Sequence, residues 1–111
     1  MKYEITYYSD DVQQEVLALP KTLLSRYFNL TDRMEIFGGN LGMPHTSSFG
    51  DGLFELRLKG MEGIARVFFC TLVGKRIVML HSFVKKTQKT PTGERLIAEN
   101  RMKEVKNVNP R

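Results

Sequence analysis

Read from the amino terminus, apolar residues first alternate with polar ones and then recur at helical spacing. Tyr3-Glu4-Ile5-Thr6-Tyr7-Tyr8 is β-branched and aromatic with rough alternation, which predicts a first strand. Asp10 and Asp11 follow as N-cap candidates for a helix over Asp11 to Leu19, whose Val12, Val16 and Leu19 share one face. Pro20 closes that helix and suits the first turn of the next, where its missing N–H costs nothing. The second helix, Lys21 to Phe37, carries Leu23, Leu24, Tyr27, Phe28, Leu30, Met34 and Phe37 as an apolar stripe fit to cover a sheet. Gly38 and Gly39 supply its left-handed stop. Asn40 to Gly52, punctuated by Gly42, Pro44, Gly50 and Gly52, predicts a loop whose His45 and Thr46 to Ser48 are polar enough to sit near a site.

From Leu53 onward the period shortens to two. Leu53 to Lys59, Ile64 to Leu72 and Arg76 to Val84 read as consecutive strands, separated by turns at Gly60 to Gly63 and at Val73-Gly74-Lys75, an antiparallel meander. Lys85 to Pro91 is a basic connector. Gly93 to Lys106 is a last helix, with Ile97, Ala98, Met102 and Val105 as its buried side and Asn107 to Arg111 as a tail. This order predicts an α+β fold with a small, mostly antiparallel four-stranded sheet, two N-terminal helices on one face and a C-terminal helix, all packed on one side of the sheet. Alternation turns Phe54, Leu56, Leu58, Ala65, Val67 and Phe69 toward the helices. Arg57 and Arg66 then share the open face with Phe68. The last strand is apolar on both faces until His81 and Ser82, so the pattern leaves its parity open.

Composition narrows what such a face is for. The 111 residues suit a single domain over 1–111. The lone Cys70 excludes an intramolecular disulfide, and no apolar run is long enough to cross a bilayer, so a reducing, cytoplasmic location without membrane attachment is expected. The net charge of +5 is divided unevenly. Residues 1–52 hold four Lys/Arg against seven Asp/Glu, whereas residues 53–111 hold thirteen against five. A basic half of this kind attracts polyanions, either nucleic acid or an acidic protein segment.

The usual catalytic templates are missing. His45, His81 and Cys70 make no metal-ligand cluster, Gly38-Gly39-Asn40-Leu41-Gly42 lacks the Lys-Ser/Thr of a phosphate loop, and no serine sits in a nucleophile elbow. Neither a metal nor another cofactor is expected. What the basic half does offer is Arg57, Arg66, His81, Lys85, Lys86 and Lys89, a set sufficient to cleave RNA without metal. RNA brings its own nucleophile, the 2′-OH. The protein has only to orient it, take its proton, neutralise the phosphate oxygens and protonate the leaving 5′-oxygen. Guanidinium forks suit the oxygens, while a crowded lysine or a histidine suits the proton transfers. A sheet that binds nucleic acid or protein without cutting is the competing reading of the same residues.

Three blocks resemble a known family: Gly52-Leu53-Phe54-Glu55-Leu56-Arg57, Ala65-Arg66-Val67-Phe68-Phe69, and Leu80-His81-Ser82-Phe83-Val84-Lys85-Lys86-Thr87-Gln88-Lys89-Thr90-Pro91. They are similar to the RelE/HigB-like toxins of bacterial type II toxin–antitoxin modules, in their phage-derived branch. The resemblance implies a ribosome-dependent mRNA endonuclease that inhibits translation. A helix-turn-helix antitoxin neutralises it, and operator DNA is contacted only through the antitoxin complex. It also implies that Arg66 contacts the scissile phosphate, that Arg57 supplies the basic residue of its strand, and that Lys85 and Lys86 assist the leaving group, with His81, Lys85 and Lys86 competing as acid and base. Lys59, Lys75, Arg76, Lys89 and Arg95 are then the expected RNA and ribosome contacts. Two positions depart from the family pattern: Glu55 stands where a basic residue is usual, and Thr90 and Thr92 occupy the region of a base-stacking aromatic. A gyrase-poisoning toxin of the ParE kind shares this fold family and is the other alternative.

Overall fold

A computed structural model describes residues 2–85 and 91–108. The elements are β1 (Glu4–Tyr7), α1 (Asp10–Leu17), α2 (Lys21–Phe37), β2 (Thr46–Gly50), β3 (Leu53–Gly60), β4 (Gly63–Leu72), β5 (Arg76–Lys85) and α3 (Thr92–Val108). The sheet has five strands rather than the expected four, in the order β1-β5-β4-β3-β2, and it is mixed: β1 runs parallel to β5, and every other pair is antiparallel.

The additional strand is β2, in the stretch expected to be a loop. Asp51 (φ 55°) and Gly52 (φ 83°) both adopt left-handed backbone, the requirement of a type I′ hairpin, and they join Gly50 to its partner Leu53. The β3–β4 hairpin is equally tight, with Met61 and Glu62 between the paired Gly60 and Gly63. That turn also serves α2. Pro20 at the N-cap has no side chain to offer the first turn. The Glu62 carboxylate accepts instead from Thr22 N, at 3.2 Å from each oxygen, and from the Thr22 hydroxyl, which in turn accepts from Met61 N at 2.9 Å. At α1 the cap is Ser9, whose Oγ accepts from Val12 N at 3.2 Å, so the expected Asp10 and Asp11 lie inside the first turn.

Two cores flank the sheet. On one face Val12, Val16, Leu19, Leu23, Tyr27, Leu30 and Met34 of the N-terminal helical region pack on Leu56, Leu58, Ala65, Val67, Phe69, Ile77 and Met79. The buried Tyr27 hydroxyl is satisfied by Tyr7 at 2.8 Å. Phe28 and Phe37, expected in the α2 stripe, are instead exposed. On the other face Ala98 and Met102 of α3 cover Leu53, Phe68, Cys70, Val78 and Leu80. The helices therefore do not share one side: α3 lies opposite α1 and α2, and its Ile97 faces solvent. A bulge at Leu80 resolves the parity of β5. Phe68 pairs with His81 and Phe69 with Met79, which leaves Leu80 unpaired, so that Leu80 and His81 both turn toward the α3 face.

Candidate functional site

Residues of β3, β4 and β5 line the α3 face. Its covered end carries Leu53, Cys70 and Val78; toward the other end, Arg57 of β3 lies directly opposite Arg66 of β4, and Arg66 directly opposite Phe83 of β5. Directly opposed residues share a face. The two arginines therefore point the same way, as strand alternation predicted. Lys85 is two residues beyond Phe83 on the same side, opposite Ile64.

Arg66 is not a surface residue. Its side chain is 6% exposed and that of Glu55 is 5% exposed, with Nε 3.4 Å from Glu55 Oε1. Nη1 donates to the carbonyl of Ala65 at 3.1 Å. Desolvation lowers the guanidinium pKa, Glu55 opposes this, and Arg57 adds repulsion; an arginine nonetheless stays charged at neutral pH. Arg57 is half-buried, with Nη1 4.0 Å from Met43 Sδ, and its backbone N–H donates to the His45 carbonyl at 2.8 Å. The Lys85 ammonium is held below the ordinary lysine value, chiefly by desolvation and then by Arg66, against the opposing attraction of Glu55 and with a further push from Arg57. The three cations thus form one electrostatic unit around a buried carboxylate.

His81 shares this face in a different setting. Its Nε2 lies 2.6 Å from Glu94 Oε1 in the first turn of α3, and among the described residues its buried Nδ1 has no hydrogen-bond partner. A carboxylate partner requires Nε2 to carry the hydrogen. The ring lies 6.1 Å from that of Phe83, at 22°. His81 thereby ties β5 to α3.

Residues 14–103, most of the chain, match the family described as phage derived protein Gp49-like. The chain belongs to that family. The Gp49-like proteins are a RelE/HigB-type toxin family. Among solved structures, this Gp49-like chain is similar to the archaeal RelE–RelB complex from Pyrococcus horikoshii OT3, with a TM-score of 0.50 and 20% identity over 76% of this chain and 96% of the matched one. At that identity the likeness bears on the fold, which is RelE-like. No curated protein matches.

The other cations expected from sequence are scattered over the Gp49-like fold. Lys59 is exposed near the end of β3, on the side of Arg57. Arg95 projects from α3 onto the Phe49 ring at 4.5 Å and pairs with Glu99 at 3.1 Å. Lys75, in the turn before β5 and over the Tyr3 ring at 5.2 Å, and Arg76, the first residue of β5 and opposite Leu72, lie about 20 Å from Phe83 at ordinary strand rise. Lys86 and Lys89 lie outside the described residues. Phe68, expected beside the arginines as an open ring, is enclosed in the α3 core. Two features of this Gp49-like site escaped the sequence reading. Glu55 stood out only as a departure from the family pattern, and the position of Phe83 next to Arg66 depends on a β5 register that the bulge sets.

Proposed function

We propose that this protein is the toxin of a type II toxin–antitoxin module and that it cuts mRNA on the ribosome without a metal ion. The observation that carries the reading is the grouping of Arg57, Arg66 and Lys85 on one face of the sheet. Membership of the Gp49-like family and the RelE-like fold support the toxin assignment, and the RelE–RelB pairing of the similar structure supports an antitoxin as partner. By resemblance that antitoxin is a helix-turn-helix protein encoded in a neighbouring reading frame, and it carries the complex to operator DNA.

In the proposed reaction Arg57 and Arg66 take the non-bridging oxygens of the scissile phosphate, where their forks bind bidentately and stabilise the charge that develops there. The phosphate competes with Glu55 for Arg66. The 2′-oxygen attacks phosphorus and the bond to the 5′-oxygen breaks, giving a 2′,3′-cyclic phosphate and a 5′-hydroxyl. Lys85, its pKa lowered toward the working range, gives a proton to the leaving oxygen. Lys86 takes the proton of the 2′-OH, since His81 has its Nε2 hydrogen committed to Glu94 and its Nδ1 buried.

The test is inducible expression with and without the adjacent gene, read out by growth and by mapping of mRNA 5′ ends. Lys85→Met removes a proton-transfer group and is expected to lower cleavage about 100-fold or more, with growth restored. Arg57→Ala should weaken it as well. If both variants cut as the parent does, the site assignment is wrong. Protected but uncut mRNA would establish the binding module instead, and DNA damage with intact mRNA the gyrase-poisoning alternative.

A further inference from the structure

Among the described methionines, Met43 is 65% and Met61 92% exposed, while Met34, Met79 and Met102 are buried. Met43 stands beside a cation of the site. Arg57 Nη1 donates to its Sδ at 4.0 Å, the long, weak bond that a thioether makes. The turn that carries Met43 is fixed. Gly42 N donates to the Thr46 hydroxyl at 3.0 Å, Thr46 N donates to the Gly42 carbonyl at 3.0 Å, and Arg57 N donates to the His45 carbonyl at 2.8 Å. Met43 is thus tied to the backbone of the same arginine that its sulfur touches. Met61 sits elsewhere, at the tip of the β3–β4 hairpin, where its N–H donates to the Thr22 hydroxyl. Cys70 is buried, and desolvation pushes its pKa up to about 11, which keeps it an unreactive thiol at neutral pH.

A solvent-facing thioether is open to reversible oxidation by peroxide, which turns an apolar side chain into a polar one. Resting on the reading that Arg57 holds an RNA phosphate, we infer that Met43 is an oxidation site whose sulfoxide draws Arg57 away from that phosphate. The sulfur lone pair takes one oxygen from hydrogen peroxide: the S–O bond forms, the O–O bond breaks, the sulfur loses two electrons, and both hydrogens leave with the other oxygen as water. A strong acceptor replaces a weak one. An oxygen on a sulfur 4.0 Å from Nη1, directed at the guanidinium, lies within hydrogen-bonding distance of it. Arg57 then has an acceptor on its own chain, which the phosphate must displace. A methionine sulfoxide reductase reverses the step, releasing the oxygen as water while two thiols join as a disulfide. Peroxide thereby loosens the grip on RNA through one cation, with Arg66 and Lys85 unchanged.

The experiment treats the full-length protein with hydrogen peroxide, follows oxygen uptake at each methionine by peptide mass spectrometry, and measures binding of a fluorescent single-stranded oligonucleotide before and after. Met43 and Met61 should gain oxygen, the three buried methionines should not, and affinity should fall about fivefold. Methionine sulfoxide reductase should restore it. Each variant is compared with its own reduced form: Met61→Leu should show the same loss and Met43→Leu none. Unchanged affinity of wild type with Met43 oxidised, or an equal loss in Met43→Leu, overturns the inference, as does a Met43 that takes up no oxygen while Met61 does. The wild-type and Met61→Leu measurements stand even if Met43→Leu fails to fold. Arg57→Ala separates this inference from the reading beneath it. If that variant weakens binding while oxidised and reduced wild type bind alike, the oxidation site alone fails; if it binds as the parent does, the phosphate reading fails and takes the inference with it.

Discussion

Arg66 and Glu55 neutralise one another at 3.4 Å with almost no solvent around them. Deleting one charge of such a pair strands the other, which typically costs about 3 kcal/mol or more, whereas replacing both by apolar groups is often neutral. Arg66→Ala is therefore expected to lower the urea midpoint strongly, and Arg66→Met combined with Glu55→Leu to recover most of the loss; a double variant as unstable as the single one would refute the pairing. Lys85 has a pH signature. Its folded-state pKa lies below the ordinary lysine value, so between the two values the unfolded chain binds the proton more readily and this group's contribution to stability rises with pH. Cleavage that needs its proton should fail at a lower pH than for an ordinary lysine, and Arg57→Ala, by removing a repelling charge, should move that alkaline limb upward in a pH–rate profile. That the two arginines share a face was legible, because the strand period is two. The burial of Arg66 was not, because it depends on a carboxylate across the hairpin and on cover from the rest of the fold.

The N-terminus of α2 depends on a carboxylate forty residues away, on the turn between β3 and β4. The Glu62 pKa is lowered, first by the Thr22 side-chain hydrogen bond and further by backbone N–H groups of the helix start. A depressed carboxyl pKa contributes stability above the ordinary carboxylate value and loses it as pH falls through the folded value. Glu62→Gln is expected to melt below wild type at neutral pH, with the gap closing on acidification; a gap that persists at low pH would show that the charge is not what matters. At this scale the helices and the β3–β4–β5 meander followed from periodicity. β2 was readable from Asp51-Gly52, a hairpin signal set among loop-like glycines. The two-sided apolar character of β5 was itself the sign that a helix covers each face, since a strand exposed on one side alternates. The parallel pairing of β1 with β5 has no local signature, because the partners are more than seventy residues apart.

The charge asymmetry of the sequence becomes a polarity of the molecule. The acidic half supplies β1, β2 and the layer of α1 and α2, and the basic half supplies the meander and α3, so the cationic face looks away from the acidic helices. No helix among the described residues is long and apolar enough to cross a membrane. A polyanion held by three cations releases its counterions with a slope of about −2 in log affinity against log salt for a single strand, and Arg57→Ala should flatten that slope by about 0.7. A slope near zero in a salt titration of oligonucleotide binding would exclude phosphate contact. The position of β1 also bears on how the chain is made. Among the described residues β1 pairs only with β5, through Glu4–Tyr7 on Arg76–Met79, so it has no sheet partner until Met79 has been made, and the same strand brings Phe83 and Lys85 to the arginines. The face that joins Arg57, Arg66 and Lys85 is therefore assembled by the same docking of β5 that gives β1 its partner.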